Sequence, residues 1–128
     1  TKISYLSQWN TMSCLLFFLP IEPKLILNEN NTLGIKFDAY SPSNLNVVKY
    51  FSKLEDNLLN YYMDYHRKKL KKCNLLNKQL FNGFIKINTT NRFNQKSKKY
   101  IIKISGIWET KTEIGITYKI FEANPVNL

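Results

Sequence analysis

The chain reads as a single mostly β domain with one long helix, an α+β fold in the order β-β-β-α-β-β-β. Three observations predict it. Apolar and polar residues alternate with a period of two from Leu33 to Ala39, the spacing changes to three and four between Val47 and Tyr65, and alternation returns in the strands between Phe84 and Phe121. At 128 residues with 44% hydrophobic side chains there is material for one core, so residues 1–128 are expected to form a single domain.

The first element is the apolar run from Met12 to Leu19, which Pro20 ends after roughly half the length of a membrane-spanning helix. It reads as a buried strand, and no membrane partner is expected. Lys24 to Leu27 and Leu33 to Tyr40 follow as two strands of a hairpin around Asn28, Glu29, Asn30 and Asn31. In the second strand Leu33, Ile35, Phe37 and Ala39 form the core row, which leaves Lys36 on the opposite face.

Ser41, Pro42, Ser43 and Asn44 break the strand and offer a helix cap. Val47, Phe51, Leu54, Leu58, Tyr61 or Tyr62, and Tyr65 then mark one face of a helix of about six or seven turns. Arg67, Lys68, Lys69, Lys71 and Lys72 crowd its end, where positive charge favours the unsatisfied carbonyls. The three tyrosines are expected mostly to pack. Strands return at Phe84 to Asn88, Lys99 to Trp108 and Ile114 to Phe121, the last two joined by a short turn from Glu109 to Glu113. Trp108 is counted in the core row of Ile102 and Ile104. Three strands, a helix and further strands match the five-stranded oligonucleotide-binding (OB) barrel with one strand added or split. An OB-fold-like antiparallel barrel is therefore one expectation, and a curved sheet covered on one face by the helix is the other.

Charge points to the partner. Between Asp64 and Glu109 there is no acidic residue, while Arg67, Lys68, Lys69, Lys71, Lys72, Lys78, Lys86, Arg92, Lys96, Lys98, Lys99 and Lys103 all fall there. Sixteen asparagines and two alanines suggest AT-rich codons, which account for some lysine but not for its clustering. With a net charge of +10, the first partner to consider is a polyanion. Aromatic residues among these cations, Phe93 and Tyr100 above all, supply the flat faces on which bases stack. The loop from Asn91 to Tyr100 joins both features, and Lys36, Lys86, Lys103 and Lys119 stand on outward strand rows that a closed barrel would gather into one groove.

The stretch KYIIKISGIWETKTEIGITYK, from Lys99 to Lys119, resembles the C-terminal hairpin of single-stranded-DNA-binding proteins of large DNA viruses. The shared residues are the Ile104 to Trp108 run and the Gly115 to Lys119 run, and the stretch covers about a sixth of the chain. The resemblance implies sequence-tolerant binding of single-stranded DNA in viral-type replication, recombination or repair, inside the cell, at the nucleus or a cytoplasmic replication site of a host. An acidic tail common in such proteins has no counterpart in the residues from Glu122 to Leu128.

The expected phosphate contacts are Lys36, Arg67, Lys68, Lys69, Lys71, Lys72, Lys86, Arg92, Lys96, Lys98, Lys99, Lys103 and Lys119, with Phe93 and Tyr100 as stacking groups. RNA is the alternative nucleic acid. A virion or scaffold component with a basic face, self-associating or meeting an acidic protein, is the alternative class. No enzyme is expected: the acids are scattered, Glu109, Glu113 and Asp38 being the only imaginable magnesium ligands, and His66 has no nucleophile beside it. No cofactor is expected, and zinc is disfavoured because Cys14 and Cys73 lie far apart without a ligand cluster. They are read as a reduced pair, with a disulfide left open.

Overall fold

The computed structural model describes residues 2–5, 14–29, 32–87 and 99–123. Among them the order is β1 (Lys2–Tyr5), β2 (Leu15–Phe18), β3 (Leu25–Glu29), β4 (Thr32–Lys36), α1 (Pro42–His66), β5 (Lys71–Lys72), α2 (Leu75–Asn82), β6 (Phe84–Ile87), β7 (Lys99–Glu109) and β8 (Glu113–Ala123). The fold is α+β, with two helices rather than one.

The strands form two sheets that do not close into a barrel. The larger runs β1-β7-β8-β5, with β2 also paired to β7, and the smaller runs β3-β4-β6. Inward rows from both sheets share one core with the helices: Leu33, Ile35, Ile85 and Ile87 from the smaller sheet, and Ile102, Ile104, Ile107, Ile114, Ile116 and Ile120 from the larger, meet Val48, Phe51, Leu59 and Tyr62 of α1 and Leu76 and Leu80 of α2.

Helix α1 begins as its sequence specifies. Ser41 is extended (φ −63°, ψ 149°), its Oγ accepts from the Asn44 N–H at 3.4 Å, and Pro42 follows where a missing N–H costs nothing. It ends at Arg67, which takes the left-handed conformation (φ 52°) usually left to glycine. Helix α2 has no such local start, since the side chain of Asn74 makes no cap bond. The cap comes from α1: the Glu55 carboxylate, fully buried, accepts from the backbone N–H groups of Leu76 (3.0 Å) and Asn77 (2.9 Å). Gly83 ends α2 at φ 76°, and a Cβ there would lie 2.5 Å from the Phe37 carbonyl oxygen.

Two rows differ from expectation. The register of β7 on β8 shifts between Ile104 and Gly106, so Ile102 and Ile104 face the core with Ile107, while Trp108 turns to the other face. There its indole lies across Gly115, 2.5 Å from where a Cβ would be, so only glycine leaves room for the ring. The β2 run is half-exposed rather than buried. Leu15 and Phe17 pack inward, but Leu16 and Phe18 are 61% and 69% exposed, because β2 lies on the edge of the sheet and offers a single row to the core.

Candidate nucleic-acid interface

Strand pairing puts a distinct set of side chains on the outer face of the larger sheet. Residues paired across an antiparallel ladder point the same way, so Leu16, Lys103 and Lys119 form one row across β2, β7 and β8. Phe18, Ile101 and Phe121 form the next, and Lys99 begins a third. Adjacent rows lie ~7 Å apart along the strands, and Phe18 and Phe121 lie ~10 Å apart across them. A row with two aromatic rings thus runs between the Lys103–Lys119 pair and Lys99.

The chemistry of these rows is one-signed. Glu122 is opposite Tyr100 and shares its inward side, so among the described residues no carboxylate stands between Lys99 and Lys119 on the outer rows. Lys103 and Lys119 face each other directly, an arrangement that like charges make unfavourable by roughly 0.2–1 kcal/mol. Lys119 is exposed, while Lys103 and Phe121 are half-buried and keep the row packed to the sheet.

The expected site residues divide into several places. Lys99, Lys103 and Lys119 come together on this outer face. Lys36 and Lys86 are exposed on the smaller sheet, beside Phe84, and do not converge with them into one groove because the barrel is open. Arg67, Lys68, Lys69, Lys71 and Lys72 lie by the β7–β8 turn, since the Lys71 N–H donates to the Thr112 carbonyl. That turn is ten residues of β7 away from Lys99, ~33 Å along an extended strand. Arg92, Phe93, Lys96 and Lys98 lie outside the described residues.

One assignment is corrected by burial, and two expected phosphate contacts are found already ion-paired. Tyr100, expected to stack bases, is 3% exposed and belongs to the core, because its strand parity is that of Ile102 and Ile104. Burial, then the nearby Glu122 charge, pushes its phenol pKa up. Lys68 is 2.8 Å from the Glu109 carboxylate, whose Oε1 also accepts from the Tyr62 hydroxyl at 2.7 Å. Its pKa is raised by that hydrogen bond. Lys72 is 2.5 Å from Asp56 and also donates to Asn60 Oδ1 at 3.0 Å. Both ammonium groups serve the fold before any phosphate. The tyrosine expectation is likewise met only by Tyr62, which is buried; Tyr61 and Tyr65 are exposed and stack on each other at 6.4 Å.

Sequence reasoning did not single out Phe18 and Phe121, which the register places on this face. The alternation was there to find them: Phe121 is two residues from Lys119, and Phe18 shares parity with Leu16 just before Pro20.

The three acids considered as magnesium ligands each have a hydrogen-bond partner. Glu109 is bound by Tyr62 and Lys68, the Asp38 Oδ1 accepts from the Tyr40 N–H at 2.9 Å, and Glu113 accepts from the Cys73 thiol at 3.0 Å. Among the described residues no three His, Cys, Asp or Glu side chains gather as metal ligands. Cys14 and Cys73 are free thiols, and the hydrogen bond to Glu113 raises the Cys73 pKa, which holds it in the less nucleophilic thiol form. The Tyr118 hydroxyl donates to Gln79 and is pushed up to about 12 by burial, then by Glu55. No described helix is long and apolar enough to cross a membrane.

Comparison with protein-family models, with curated proteins and with solved structures finds no match to this chain.

Proposed function

We propose that the protein is a non-catalytic module that binds single-stranded DNA across the outer face of its larger sheet, in viral-type replication, recombination or repair. The observation that carries this reading is the Lys103–Lys119 pair directly across β7 and β8, beside the row of Phe18, Ile101 and Phe121. A protein gains nothing in stability from facing two ammonium groups, and a phosphodiester chain above them turns the repulsion into attraction. The exposed Phe18 ring in the next row, with the half-buried Phe121 beyond Ile101, accepts unpaired bases, whereas a duplex keeps its bases stacked inside. Lys99 extends the same track. The open antiparallel face of β2, β7 and β8 can serve as the strand face of an OB barrel does, without the barrel being closed.

Fluorescence anisotropy of labelled oligo(dT) and of a duplex of equal length, each at two salt concentrations, tests the reading. The expected result is tighter binding of the single strand, weakening steeply with salt because displaced counterions enter the equilibrium. Equal affinity for the duplex, or affinity indifferent to salt, would contradict it.

A further inference from the structure

Next to Phe18 the surface opens into a cleft of about 490 Å³, bordered by Phe18, Leu19, Pro20, Glu22, Lys99 and Tyr100. That volume suits one nucleotide. Its walls are unlike the rest of the face in one respect, since among the described residues Glu22 is the single carboxylate on a cleft that also holds Lys99. Among the described residues neither of these side-chain charges has an ion-pair or hydrogen-bond partner, although both border the same space.

The position of Glu22 is fixed from beneath. Its backbone N–H donates to Asn44 Oδ1 at 2.8 Å, and the Asn44 amide donates back to the Glu22 carbonyl at 3.1 Å and to the Asp38 carbonyl at 3.0 Å. Asn44 is itself buried in the first turn of α1, 2% exposed. Pro20 further restricts the chain between Phe18 and Glu22. The exposed carboxylate therefore projects from a backbone that does not have to be ordered on binding.

A carboxylate beside a phosphate track weakens phosphate binding unless it receives something in return. An ionised carboxylate only accepts hydrogen bonds, so it favours bases that present N–H donors. Adenine, cytosine and guanine each offer an exocyclic amine, and a glutamate accepting from the cytosine amine is an established pairing. Thymine offers a single ring N–H between two carbonyl oxygens, which repel the carboxylate. We propose that this cleft seats one base of the bound strand against Phe18, with a neighbouring phosphate on Lys99, and that Glu22 accepts a hydrogen bond from the exocyclic amine of cytosine, adenine or guanine. The binding surface is then sequence-tolerant along the sheet but selective at one position. This inference rests on the single-strand reading above.

Octamers of dC, dA and dT competing with a labelled strand for the intact protein test it, with Glu22→Gln and Phe18→Ala as variants. The expected result is that dC and dA bind about three- to tenfold tighter than dT, the range of one net hydrogen bond. Glu22→Gln, whose amide both donates and accepts, should bring that ratio towards one, and Phe18→Ala should weaken all three octamers. Octamers that bind equally to the unaltered protein, or a dC and dA preference that persists in Glu22→Gln, would overturn the cleft assignment while leaving the single-strand reading intact. Failure of all three octamers to bind would overturn both.

Discussion

The Tyr62 hydroxyl and the Glu109 carboxylate are joined by a 2.7 Å hydrogen bond, 47 residues apart in sequence, and Lys68 closes the same group from outside. Glu109 ends the acid-free stretch, so the residue that bounds the basic block also neutralises one of its members. Charge counted along the chain overstates what is free to meet a polyanion.

Tyr62→Phe leaves the buried Glu109 carboxylate with one fewer donor. Bonds to charged groups contribute roughly 1.5–3 kcal/mol, so the urea midpoint should fall accordingly with no change in slope. Affinity for oligo(dT) should stay within about twofold of the unaltered protein, since no outer-face residue is touched.

Glu55 gives a pH signature. Its pKa is raised, first by burial, with the N–H groups of Asn77 and Leu76 opposing that rise. In the window from the ordinary value of 4.5 upward to the raised folded value, the folded protein keeps a proton that the unfolded chain has released. This stabilisation is fully present below the window and is lost as pH rises through it. Urea midpoints measured across pH 4 to 7 should carry this falling component in the unaltered protein, and Glu55→Gln should flatten it. Glu55→Ala should cost about 2 kcal/mol at the acid end of the range, because the first turn of α2 loses its acceptor, and less as pH rises through the window.

Arg67 pairs a strained backbone with a basic side chain. Replacing it by glycine removes the left-handed cost, so Arg67→Gly should raise stability by about 1 kcal/mol in thermal or urea unfolding. Binding of oligo(dT) should change little, as the helix end lies at the far end of the β7–β8 hairpin from Lys99. A large loss of binding would instead assign the helix end to the interface.

Much of the scaffold was legible in the sequence because its signals are local. The Ser41–Pro42 start, the three-and-four spacing of α1 and the alternation of Leu33, Ile35, Phe37 and Ala39 are set by neighbours a few residues away, and the structure carries each of them. What was not legible depends on distant groups. Helix α2 is capped by Glu55 from another helix, so nothing next to Asn74 announces it. The bulge after Ile104 turned Trp108 outward, since a period of two carries no warning of an inserted residue. Barrel closure is a property of how the edges meet, and element order alone did not decide it. For the site, parity put Lys103 and Lys119 on outward rows, where the register pairs them, and the same parity puts Tyr100 inside.

The most direct test of the account is the double variant Lys103→Ala, Lys119→Ala, with affinity for oligo(dT) measured across a series of salt concentrations and the unfolding midpoint measured alongside. The account expects weaker binding, a slope of log affinity against log salt shallower by about 1.4 (about 0.7 for each phosphate of a single strand that is no longer neutralised), and a midpoint unchanged or slightly higher once the facing charges are gone. An unchanged affinity and salt slope in a folded double variant would contradict it, and would take the outer face of the larger sheet out of DNA binding.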